Sequence, residues 1–255
     1  MASKINQLLK EWPRGTVTTA SWLSKRGVYR QLTRQYVLNE WLEPVGRGAF
    51  LRAGEDVEWL GAIYTLQKQL GLSVHPAAGT ALFLKGLGHF LPMGKDAEVL
   101  VFSEHKETLP RWFLQHPWGA RIRHSTPGLF DLSDPTGLTE FQHGDFSVWI
   151  SAPERAILET FHLATTNASI DLALELMRGL TTLRPRVVQS LLEACRSIKA
   201  KRAFLWAAEL SGHQWLPRLA VDRLNLGSGK RLFYRDGEFS AKYSITVPKT
   251  ERAHV

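Results

Sequence analysis

Cysteine is almost absent: the 255 residues contain one, Cys195. No disulfide can close within one chain, and one copy cannot assemble a cysteine-based metal cluster; a reducing cytoplasm is the expected compartment. Long apolar runs are missing too. No stretch approaches the roughly 20 residues of a membrane span. The opening MASKINQLLKE is polar where a secretory leader is apolar, so no membrane partner is expected. The nine histidines are scattered, and none forms the His-x-x-x-His pair that holds zinc on a helix. No serine stands in a Gly-x-Ser-x-Gly elbow. There is no internal repeat and no low-complexity tract. Neither metal nor cofactor is expected from these patterns, and the chain reads as a non-enzyme.

An excess of acid is also lacking. Lys and Arg number 32 against 24 Asp and Glu, the formal charge is +8 and the pI is near 9.7. That balance favours polyanionic partners. The bases concentrate in residues 1–52 and 196–235, with a net acidic interval between them. A hydrophobic share of 44% is enough for an ordinary core.

Residues 16–52 read TVTTASWLSKRGVYRQLTRQYVLNEWLEPVGRGAFLR. The pattern predicts helix, turn, helix and a short hairpin, which is a winged helix-turn-helix. The first helix opens at Thr18 or Thr19, hydroxyl residues suited to capping free N–H groups. It stops at Gly27, which tolerates a left-handed stop. The second begins at Val28. On a wheel of 3.6 residues per turn, Val28, Tyr29, Leu32 and Tyr36 gather on one side. Arg30, Gln31, Arg34 and Gln35 gather on the other. Arginine can pair with guanine and glutamine with adenine in the major groove. Gly46-Arg47-Gly48 is the expected hairpin tip, with Arg47 facing a phosphate or a minor groove. Thr18, Thr19 and Ser21 are expected phosphate contacts at a helix start. A merely solvated polar face would look similar on a wheel.

Around this module the periodicity predicts helices over 3–12, 57–71, 109–116, 169–180, 185–197 and 200–211, and one from Pro76 to about Leu87. Strands are expected at 98–102, 120–124, 145–150, 231–234 and 242–247. Ser151 and Glu154 read as a capping box, with Pro153 in the first turn of a helix through Phe161. Val188, Leu191, Leu192 and Cys195 form one buried stripe. The fold class is therefore α+β: an N-terminal winged helix-turn-helix (1–52), a linker at 53–56, and a larger mixed α/β C-terminal domain (57–255).

Five stretches carry a family resemblance: LEPVGRGAFL in the wing, TALFLKGLGHFL (80–91), ISAPERAILE (150–159), KAKRAFLWAAELSGHQW (199–215) and LNLGSGKRLFYRDGEFSAKYSITVP (224–248). In order and spacing the chain resembles, nearly end to end, the AbiEi antitoxins of bacterial abortive-infection type IV toxin–antitoxin systems. The resemblance implies a winged domain that binds and represses its own operator, as double-stranded DNA. It also implies a C-terminal domain that antagonises a nucleotidyltransferase toxin without a stable complex. It supplies no catalytic residues.

Other motifs point elsewhere. Gly227-Ser228-Gly229-Lys230 lacks a phosphate loop's outer glycine and its Ser or Thr, positions held by Leu224 and Arg231. Asp96, Glu98, Glu104 and Lys106 resemble the acid-and-lysine strand of a metal-dependent nuclease, which is the alternative function. The basic set Lys199, Lys201, Arg202, Lys230 and Arg231 is a further expected nucleic-acid contact, and the acidic middle is an alternative protein-binding surface. No coiled-coil or other dimer signature is present, which leaves the oligomeric state open.

Overall fold

The computed structural model describes residues 4–88, 98–131 and 134–249. In chain order the first elements are α1 (Lys4–Glu11), β1 (Thr18–Thr19), α2 (Ala20–Lys25), α3 (Arg30–Leu38), β2 (Leu42–Gly46), β3 (Ala49–Arg52), α4 (Trp59–Lys68), β4 (His75–Pro76), α5 (Ala78–Leu84), β5 (Glu98–Phe102) and α6 (Arg111–Gln115). There follow β6 (Arg121–Ser125), β7 (Leu138–His143), β8 (Phe146–Ser151), α7 (Pro153–Leu163), α8 (Asn167–Arg178), α9 (Pro185–Ala194), α10 (Ile198–Leu210), β9 (Glu238–Ser240) and β10 (Ile245–Val247). Two compact units emerge. The first holds 4–75, 98–126 and 140–150 of the described residues; the second holds 76–88, 127–131, 134–139 and 151–249.

The first unit starts from a three-helix core. Ile5, Leu8 and Trp12 recur at the spacing of one helical face, and they bury against Leu23, Val28, Tyr36 and Leu42. Thr19 caps α2 by accepting from the Trp22 amide at 3.2 Å. At the far end Gly27 sits at φ +73°. Its amide donates to Ser24 O, and that of Val28 to Leu23 O. This is the Schellman arrangement, in which a left-handed residue closes the last turn and an apolar pair locks it; here the pair is Leu23 and Val28, both buried. α3 ends the same way: Glu40 takes φ +55°, Trp41 N donates to Tyr36 O, and the Tyr36 and Trp41 rings meet at 5.3 Å. The chain then forms a sheet in the order β1-β3-β2.

β1 was not expected. Two threonines are too few to show an alternation, yet Thr18 pairs with Phe50 and Thr19 with Ala49. α4 joins the same unit. Gly61 lies so near Gly15 that an added Cβ would sit 1.8 Å from the Gly15 carbonyl oxygen. Thr65 Oγ1 donates to Val17 O at 2.6 Å, and the Gln69 amide bridges Thr19 N and Val17 O. An expected chain-order boundary at 53–56 therefore falls inside one compact unit. β5 and β6 run parallel, Glu98 opposite Arg121 through Phe102 opposite Ser125.

In the second unit α7 is almost wholly buried, including Glu154, Arg155 and Glu159. Buried charges need partners, and these have them. Glu159 accepts from Ser151 Oγ, Arg155 Nε and the Ala78 amide. Glu154 accepts from the amide, Nε and Nη2 of Arg184. The expected capping box does not form: the cap is Ala152, without a side-chain bond. The helix begins one residue late, and Ser151 and Glu154 are committed to those other partners. The stripe Val188, Leu191, Leu192 and Cys195 is buried. A strand at 231–234 is replaced by a single bridge from Arg231 to Ile245, and β9 begins beyond the expected site, at Glu238. β7 was missed because neither of its faces is fully buried.

Candidate nucleic-acid interface

The turn at Gly27 launches α3 at a set angle. Lys4 Nζ donates to Gly27 O at 2.6 Å. Arg26 is held between Glu11 Oε2, at 2.7 Å, and the Trp22 ring, at 3.6 Å. The helix starts at Arg30 with Tyr29 as its cap, two residues later than the wheel assumed. Tyr29 is consequently outside, 65% exposed, and Thr33 takes its inward place. Arg30, Gln31, Arg34 and Gln35 are all exposed. Among the described residues no side-chain hydrogen bond or ion pair engages any of the four. They follow one another at i, i+1, i+4 and i+5, one stripe along a helix. Leu38, at 71% exposure, ends that stripe.

The wing is present as expected. β2 and β3 pair antiparallel with an irregularity between Pro44 and Gly46, and Arg47 is exposed at the tip. Thr18 and Thr19 correct the expectation. Thr18 is fully buried, and Thr19 spends its hydroxyl on the Trp22 amide, Ser21 Oγ and Gln69 Oε1. Both are inward because they belong to the sheet. Ser21 alone of the three is exposed.

The distal basic set divides. Lys201 and Arg202, each 3% exposed, are buried. Lys201 Nζ donates to Asn225 O. Arg202 donates to four carbonyls, those of Leu226, Gly227, Gly229 and Ser244, at 2.7–3.0 Å. The Gly-Ser-Gly turn thus aims carbonyls inward at a cation, the reverse of a phosphate cradle. Lys199 Nζ donates to Ala164 O, and burial pulls its pKa down. Only Lys230 and Arg231 remain exposed. A signal for Arg202 was present in the sequence. Ala200, Ala203, Phe204, Leu205, Ala207 and Ala208 surround α10 with apolar residues, and a charge within such a helix is held from inside.

The nuclease residues do not converge. Asp96 lies outside the described residues. Glu98 pairs with Arg123 at 3.0 Å on the surface. Glu104 lies beyond the opposite end of β5, so the strand alone separates the two acids by about 13 Å, too far to share an ion. Lys106 is exposed. Among the described residues no group of three or more His, Cys, Asp or Glu is placed to hold a metal ion.

Two family models match. One, described as the N-terminal domain of the AbiEi antitoxin transcriptional regulators, spans residues 1–93. The other, described as a transcriptional regulator, AbiEi antitoxin of a type IV toxin–antitoxin system, spans residues 96–248. The chain belongs to the AbiEi antitoxin family. No curated protein matches this AbiEi chain. Among solved structures it is similar to the crystal structure of the RV2827C protein from Mycobacterium tuberculosis, at 14% identity over 98% of this chain and 92% of that one, with a TM-score of 0.63. Likeness at that identity concerns the fold alone. The AbiEi family is one of regulatory antitoxins, and a DNA-binding role follows from membership.

Proposed function

We propose that this chain represses its own operon by reading operator DNA, and that it antagonises a nucleotidyltransferase toxin without forming a stable complex with it. Arg30, Gln31, Arg34 and Gln35 enter the major groove, Arg47 takes the neighbouring backbone or minor groove, and Ser21 takes a phosphate. The observation that carries the DNA half is the unengaged stripe on α3, next to a hairpin with a basic tip. Long polar side chains that no neighbour holds can meet base edges without breaking an existing bond. Support for the toxin half is membership in the type IV antitoxin family.

Footprinting and binding titration with DNA from upstream of the gene test the first half. Arg34→Ala is expected to weaken specific binding by about 1–3 kcal/mol, the worth of one bidentate base contact. An unchanged footprint and affinity would sink the assignment. Co-expression with a neighbouring nucleotidyltransferase gene tests the second half: the chain should relieve toxicity, and Arg34→Ala should still relieve it while losing repression.

A further inference from the structure

Beside the wing lies an open groove of about 920 Å³ whose lining includes Ser21, Gly46, Arg47, Arg111, Trp112 and His116. Its far wall is α6, from a distant part of the chain. The wing rests on that helix: a Cβ on Gly46 would sit 2.8 Å from Trp112 Cβ, and Trp112 is buried. Arg111 immediately precedes this anchor, so the contact that supports the wing also fixes where Arg111 stands. Arg47 and Arg111 are both exposed. Among the described residues neither side chain has a hydrogen-bond or ion-pair partner. No Asp or Glu lines the groove. Burial holds His116 below its ordinary pKa, so at neutral pH the positive charge comes from the two arginines.

We infer that this groove seats one sugar–phosphate strand of the duplex, with Arg111 as a further phosphate contact across from Arg47 and with Ser21 on the same wall. The inference rests on the DNA-reading proposal and extends it to a helix outside the winged module. A channel with two cations, no carboxylate and the wing tip at its rim matches a polyanion in charge. Its contacts are to backbone and carry no sequence information.

The test is a salt titration of the full chain on a fluorescein-labelled duplex of mixed sequence, read by anisotropy. Losing one phosphate contact should flatten the log–log slope by about 0.9, which near 0.15 M salt is about a five-fold loss of affinity. Arg111→Ala should show that loss, equally on upstream DNA and on the mixed sequence. Arg111→Lys should restore the slope. Lys106→Ala removes an exposed charge of the same unit away from the groove, and should leave the slope unchanged. Circular dichroism confirms that each variant is folded. If Arg111→Ala keeps the wild-type slope while Arg34→Ala still loses specific binding, the groove is overturned and the reader stands. An equal drop in Lys106→Ala overturns it too, as a general charge effect. If the wild-type chain binds neither duplex, both readings fall.

Discussion

Replacing Arg202 separates a structural cation from a nucleic-acid contact more sharply than any other change. The guanidinium is 3% exposed and gathers the carbonyls of Leu226, Gly227, Gly229 and Ser244. Burial, with Arg231 nearby, pulls its pKa down, yet arginine stays charged at any accessible pH. Each hydrogen bond to a charged group contributes about 1.5–3 kcal/mol, and each orphaned buried carbonyl costs about 1–3. The four do not add in full, because Gly227 and Gly229 are exposed and water can reach that turn. Arg202→Ala is therefore expected to cost about 3–5 kcal/mol, near the top of the range for single substitutions. In a unit of this size that lowers the melting temperature by about 10 °C. Urea unfolding, followed through the transition of the second unit, gives the number. Arg202→Lys should recover only part of it, since an ammonium cannot span the fork. The salt dependence of DNA binding should not change. A loss below about 1 kcal/mol together with a flattened salt slope would show that the side chain faces solvent and an anion, against the geometry.

Three further outcomes follow from the same structure. Gly61→Ala gains up to about 1 kcal/mol of helix propensity but drives a methyl to 1.8 Å from the Gly15 carbonyl oxygen. Overpacking typically costs about 1–3 kcal/mol, and backbone cannot yield cheaply, so a net loss of about 2 kcal/mol is expected from the urea midpoint; a stabilised variant would contradict the close approach. Glu40→Gly relieves a left-handed residue at φ +55°. That strain costs about 1–2 kcal/mol, and the extra freedom of unfolded glycine returns about 0.5–1 of it, leaving a small gain that a lowered midpoint would refute. At Glu154, burial raises the carboxyl's pKa, but the side-chain and backbone bonds from Arg184 outweigh it, and the net shift is downward. The stabilisation is thus complete above the unfolded value of about 4.3 and is lost as pH falls through the depressed folded value. Glu154→Gln should be less stable than wild type at pH 7, with the gap narrowing under acid; a gap independent of pH would reject the linkage.

Much of the fold was legible because local signals agreed. Gly27 marked the Schellman stop, Gly46-Arg47-Gly48 marked the wing, and regular apolar spacing marked α1 and α9. The errors have physical causes. The wheel began at Val28, so Tyr29 was turned inward, although the chain does not become helical until Arg30. Thr18 and Thr19 have side chains suited to phosphate, but pairing with β3 buries them. Lys201 and Arg202 were counted as surface charge because a sum of charges does not record which carbonyls lie behind a helix. Arg111 carried no local signal at all. Its place depends on Trp112 meeting Gly46, a contact between segments far apart in sequence, and no short window contains both.

That seat beneath Gly46 bears on how such readers can be moved between proteins. Cut out as a cassette of residues 1–52, the hairpin would lose the tryptophan it leans on, and Val17 and Thr19 would lose their hydrogen bonds to Thr65 of α4 and to Gln69, the residue that caps it. The transplant would keep the exposed stripe Arg30, Gln31, Arg34 and Gln35 and still present its tip at an unregulated angle. A portable version has to carry α4 and the segment around Trp112 with it.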